Sequence, residues 1–231
     1  MKGSHQDTNR EKCIILLGAM IVIAFFTGVT HLYFGYLLGP APDYVISGFW
    51  IISIIPFSIY MLYFQSKGKI SFDEIGLKKK GIVKASLAGV LFGVVVGFVD
   101  KGILHLLSYF TSFSMPQPQP EWINLFIMRS VVLAPIYEEI LVRGVIWSMI
   151  GYILLFISGV WRLPNLKKRK DVIVLVLASL IFLLLHCDRE PVLLLTELLF
   201  DSFAYSFIYY KMRNLLSPIL THSLSNLFLL L

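Results

Sequence analysis

Between Cys13 and Leu38 the chain carries no Asp, Glu, Lys or Arg, and the same holds from Tyr44 to Phe64. In a bilayer such runs have no water to satisfy their backbone N–H and C=O groups, so the conformation open to them is a helix that pairs those groups internally. Across the chain 57% of residues are hydrophobic and 15% are charged, against about 25% charged in ordinary soluble domains. These features predict an all-α fold, a polytopic transmembrane helix bundle. Because nearly everything outside short loops is apolar, residues 13–231 read as one integral-membrane domain, preceded by a polar cytoplasmic tail at 1–12. The first apolar run is too long for a signal-peptide core and lacks a small-residue cleavage site, so it reads as a retained span.

Further spans are expected at about 82–107, 122–158, 172–187, 191–210 and 215–231. Lys67, Lys69, Lys78, Lys79 and Lys80 fall in one loop, Arg162, Lys167, Lys168, Arg169 and Lys170 in another, and Lys211 and Arg213 in a third. The loops at 39–43 and 108–121 contain neither Lys nor Arg. Basic residues collect on the cytoplasmic side, which gives seven spans in the cell membrane with the N-terminus cytoplasmic. Splitting 122–158 into two helices would give eight. Bends are expected at Pro135, Gly144 and Gly151, close helix packing at Gly89, Gly93 and Gly97, and interfacial positions for Asp100 and Lys101. The net charge of +6 sits beside spans, so it speaks for topology and not for a nucleic-acid partner. Cys13 and Cys187 supply neither a metal ladder nor a disulfide framework and read as core or interface residues.

Polar residues inside these runs need a use or a partner. Pro135–Gly144 reads P-I-Y-E-E-I-L-V-R-G. Glu139 and Arg143 are i and i+4 with the acid first, the favourable order for an ion pair. Glu138 lies about 100° round the helix from Glu139 and has no such partner in sequence reach, which leaves it for chemistry. Phe182 and His186 form a second i, i+4 pair, in which the aromatic ring can pack against the imidazole. His222 and Asn226 form a third. The structural alternatives are a His186 satisfied by a backbone carbonyl, and a His222–Asn226 pair acting as interhelical glue worth about 0.6 kcal/mol. Taken together the set supplies a base for water and donors for an oxyanion. Glu197 and Asp201 are a further i, i+4 acid pair, for which a structural role is expected, facing a polar cavity or accompanying Arg129.

The order E-E-x-x-x-R, F-x-x-x-H and H-x-x-x-N, each on an apolar helix, resembles the CPBP family of intramembrane proteases. That family includes the CAAX prenyl proteases and the bacterial Abi proteins linked to bacteriocin processing and self-immunity. The resemblance covers Pro135 to the C-terminus, within a family-like core placed at 122–231. It implies an intramembrane endopeptidase in which Glu138 activates water with help from His186, while His222 and Asn226 stabilise the oxyanion. Glu139, Arg143 and Phe182 would support the site. The family is often labelled metalloprotease, which makes a divalent metal such as zinc a candidate cofactor and Glu138, His186 and His222 its candidate ligands, although H-E-x-x-H is absent. The implied partners are a peptide or membrane-protein substrate and the lipid bilayer. The rival reading is a non-catalytic immunity or peptide-binding protein of the same fold.

Overall fold

The apolar runs form helices in the computed structural model, which describes residues 3–38, 49–110, 123–186 and 199–231, and no strand occurs among the described residues. The helices are α1 (Gly3–Leu38), α2 (Ile54–Ser66, entered through a 3₁₀ turn at Phe49–Ser53), α3 (Ile82–Phe110), α4 (Ile123–Val160), α5 (Pro164–Leu184), α6 (Leu199–Met212) and α7 (Leu216–Leu230). The helices spanning Asp7–Tyr33, Ile82–Phe110 and Ile123–Val160 are long and apolar enough to cross a membrane, and Ile51–Ser66 and Leu216–Leu230 are shorter apolar helices. In their most apolar windows α4 is 56% buried against 28% for α1 and α3, so α4 is the helix the others enclose.

Several sequence expectations change. The polar tail is helical from Gly3 and continuous with α1. The stretch at 122–158, open to one helix or two, is one continuous helix, Ile123–Val160. Its irregularities are π-helical turns at Met128–Leu133, just ahead of Pro135, and at Ile140–Ile146, which contains Gly144. Gly151 lies inside regular α-helix and marks no bend. Asp100 is not interfacial: it is 1% exposed, because the close packing of α3 on α7 encloses it, whereas Lys101 is exposed. Cys13 is half-buried; Cys187 and Glu197 lie outside the described residues.

The α3–α7 contact explains the glycine spacing. A Cβ on Gly93 would stand 2.9 Å from Leu224 Cβ and 3.0 Å from Thr221 Cα, and one on Gly97 would stand 2.7 Å from Phe228 Cβ. Only hydrogen fits there, so the two backbones approach closely, and Thr221 Oγ1 reaches the Gly89 carbonyl at 3.1 Å.

A short strap closes one end of the bundle. Ser71 and Glu74 form a capping box around the 3₁₀ turn Phe72–Ile75, ended by Gly76 at φ +84°. That left-handed conformation suits glycine, and a Cβ there would also meet Tyr209 Oη at 2.6 Å. Ile75 is fully buried. The Leu215 N–H donates to the Gly76 carbonyl at 2.9 Å, Asn214 Nδ2 donates to the Lys78 carbonyl at 3.0 Å, and Ser148 Oγ donates to the Glu74 carbonyl at 2.8 Å. Ion pairs Lys12–Glu74, Lys69–Glu11 and Arg213–Asp171 lie in the same region. The start of α1, the 67–81 segment, the first half of α5 and the α6–α7 turn therefore meet at one end.

Candidate active site

Proline at position 135 has no N–H to give to the turn before it, so a carbonyl in that turn needs another donor. Asn226 of α7 supplies one, its Nδ2 donating to the Ser130 carbonyl at 2.7 Å. The short regular stretch Ala134–Glu139 then carries the two adjacent glutamates, and the second π-turn carries Arg143.

Glu139 and Arg143 are both fully buried, and Arg143 Nη1 donates to Glu139 Oε1 at 3.0 Å. The remaining guanidinium contacts come from α6 and α5. Arg143 Nη2 donates to the Ser202 carbonyl at 2.9 Å and lies 3.3 Å from Ser206 Oγ. The guanidinium carbon sits 4.4 Å from the centre of the Phe182 ring, a cation–π arrangement that suits a flat, weakly hydrated cation. This pair joins α4 to α5 and α6.

His186 stands just past the end of α5. Its backbone N–H turns back to the Leu183 carbonyl, so the Phe182 carbonyl is one of the helix-end acceptors without a regular partner. The His186 imidazole supplies it, with Nδ1 2.9 Å from that oxygen. A carbonyl can only accept, so Nδ1 carries the proton and Nε2 faces outward. Nε2 lies 3.6 Å from Glu138 Oε2, and the ring packs on Phe182 at 4.5 Å.

His222 has the same polarity. Its Nδ1 is 3.1 Å from Glu139 Oε1, which also receives Arg143, and its Nε2 is 3.9 Å from Glu138 Oε2. The ionised Glu139 makes Nδ1 the donor. The two Nε2 atoms thus converge on one carboxylate oxygen of Glu138, whose side chain is 20% exposed. A water beside these three atoms would find an acid, two imidazole nitrogens and a path in from outside the fold. Asn226, one turn beyond His222, keeps one N–H of its carboxamide uncommitted after the bond to Ser130.

The three residues expected as zinc ligands do converge, but among the described residues no group of three or more His, Cys, Asp or Glu is placed to hold a metal ion.

Sequence reasoning missed Tyr205. Its ring stacks on His222 at 4.5 Å with 19° between planes, while Phe182 meets His222 edge-on at 6.1 Å. The spacing of Asp201 and Tyr205, i and i+4, puts the two on one face of α6 but does not point to His222. Asp201 adjoins Asp100 of α3 and Tyr205.

These features define a class: an all-helical protein with helices able to cross a membrane, enclosing a buried acid–imidazole site. The family model described as Type II CAAX prenyl endopeptidase Rce1-like matches residues 120–228, the stretch that holds all three motifs. Over that stretch the chain resembles this family, and the match supports a CAAX-protease kind of function. No curated protein and no solved structure matches the chain.

Proposed function

We propose that the chain is a membrane-embedded endopeptidase that uses Glu138 and His186 to activate water against a peptide bond. The observation that carries this reading is the convergence of His186 Nε2 and His222 Nε2 on Glu138 Oε2, at 3.6 and 3.9 Å. Water held between Glu138 and His186 gives its proton to the carboxylate as its oxygen attacks the substrate carbonyl. The oxyanion forms beside His222 and Asn226. With Nδ1 fixed as a donor to Glu139, His222 offers a second N–H only as the imidazolium, so its oxyanion role belongs to that form. The free N–H of Asn226 is the other donor. Glu138 then returns the proton to the leaving amine.

In this reading residues 13–231 form one domain that crosses the cell membrane seven times, with the N-terminus cytoplasmic. The gathering of the basic segments at one end of the bundle supports that sidedness. The substrate is a peptide or a membrane-protein segment, reached in the bilayer.

The test is mass spectrometry of membrane peptides from cells carrying the wild-type protein or Glu138→Gln. Loss of specific cleavage products with normal accumulation of the variant is expected, at a rate cost of about 10²-fold or more. Unchanged processing in Glu138→Gln refutes the reading.

A further inference from the structure

The end of the bundle closed by the strap is far more basic than the rest of the chain. Segments 67–81, 161–171 and 211–214 hold twelve Lys or Arg against three Asp or Glu, while the whole chain carries +6, so everything outside them is net acidic. These segments flank helices able to cross a membrane: Lys80 comes just before α3 begins at Ile82, and Arg162 just after α4 ends at Val160. The contacts of Asn214 Nδ2 with the Lys78 carbonyl and of Arg213 with Asp171, at 3.0 and 2.7 Å, hold the three segments against one another. Sorting of cations to the cytoplasmic side decides where such residues lie, not whether they are paired there.

Internal pairing takes up only some of this charge. Asp171 meets Arg213 and Lys170, and Glu74 meets Lys12. Lys79, Lys80, Arg162, Lys167, Lys168 and Arg169 are exposed and form no ion pair with any described residue. Arg162 has φ +51°, the left-handed conformation past a helix end that glycine ordinarily fills. An arginine is held there against steric preference, and its planar fork matches phosphate oxygens. Beside it Trp161 is 73% exposed, and Val160 and Leu163 are 50% and 47% exposed. An exposed indole at the end of a membrane-crossing helix belongs at headgroup level. This corner therefore offers apolar side chains and unpaired cations at one depth, as an acyl chain joined to a phosphate requires.

We propose that the surface formed by Trp161–Arg169 and the neighbouring Lys79 and Lys80 binds the phosphate headgroups of anionic phospholipids. Basic clusters next to membrane-crossing helices are attracted to such lipids. The assignment needs the membrane setting of the chain but not the reaction proposed above.

Spin-labelled phospholipids measure this on the full-length protein reconstituted in phosphatidylcholine vesicles. Labelled phosphatidylglycerol should associate with the wild type more strongly than labelled phosphatidylcholine, by about fivefold for each cation that a headgroup engages. The preference should fall toward one in the triple variant Lys167→Gln, Lys168→Gln, Arg169→Gln. It should persist in Lys101→Gln, which removes an exposed cation about 25 Å along α3 from Lys84. Equal association of the two lipids with the wild type, an unchanged preference in the triple variant, or its loss in Lys101→Gln overturns the proposal. Inorganic phosphate added at constant ionic strength separates a lipid headgroup from a soluble anion. The preference should survive it, and abolition by phosphate would assign the surface to a soluble anion and overturn the lipid. No readout involves turnover, so failure here is distinct from failure of the protease reading.

Discussion

Removing Glu139 is the sharpest test of how the site is held together. At 3.0 Å and an effective dielectric of about 20, the Glu139–Arg143 attraction is about 5–6 kcal/mol. Desolvation of two fully buried charges offsets most of that, so the pair as a whole contributes little net stability. Deleting one partner is another matter, because Arg143 then stays buried with a charge answered only by the Ser202 carbonyl, Ser206 and the Phe182 ring. Glu139→Ala should therefore cost about 3–5 kcal/mol. Glu139→Gln keeps an acceptor for both Arg143 and His222 and should cost less, about 1.5–3 kcal/mol for the lost charge-assisted bond. The double variant Glu139→Leu with Arg143→Met, which removes both charges, should recover most of the loss. Equilibrium unfolding in bicelles by increasing denaturing detergent measures all three. A Glu139→Ala protein within about 1 kcal/mol of wild type, or a double variant no better than the single, would show that the pair is not the buried, mutually dependent unit described above.

Two further outcomes follow from the packing. Gly93→Leu places a branched side chain where even a Cβ lies 2.9 Å from Leu224; it should separate α3 from α7 and cost about 1–3 kcal/mol or more, and an unchanged unfolding midpoint would contradict the close approach. Asp171 is pushed up by partial burial, but Arg213 and then Lys170 outweigh this and hold its carboxyl below the usual range. Its folded value is thus depressed, so its contribution is complete above the unfolded value of about 3.9 and is lost as pH falls through the lower folded value; Asp171→Asn should flatten the acid limb of the stability profile, most visibly at low salt because the pair is partly exposed, and an identical limb in the variant would remove Asp171 as a cause.

Much of this architecture was legible because period and polarity carry it. The runs at 13–38 and 82–107 could only be helices, and the i, i+4 spacings picked out Glu139 with Arg143 and Phe182 with His186 before any contact was known. The failures have physical causes. A π-turn has no composition of its own, so Pro135 and Gly144 announced irregularity without its form, while Gly151 announced one that did not occur. Asp100 beside Lys101 looks interfacial in one dimension, and only the depth set by Gly89, Gly93 and Gly97 against α7 buries one and exposes the other. Tyr205 was invisible as a site residue because an aromatic on an apolar helix is ordinarily core, and stacking on His222 is a relation between helices that no local pattern records.

The expected division of labour in P-I-Y-E-E-I-L-V-R-G assigned Glu139 to support and Glu138 to chemistry. His222 joins the two roles. One edge of its imidazole bonds Glu139 and the other faces Glu138, which works because adjacent residues on a helix diverge by about 100° and an imidazole presents nitrogens on two edges. Glu139 therefore does more than anchor Arg143: by accepting from Nδ1 it leaves Nε2 of His222 facing Glu138, which in the proposed mechanism is the edge toward the reacting oxygen. The neutral carboxamide introduced by Glu139→Gln can accept or donate, so it no longer enforces that choice, and the effect of this substitution on catalysis should exceed its effect on stability. In the proposed mechanism the two adjacent acids thus have separate tasks, one for the water and one for the imidazole beside it.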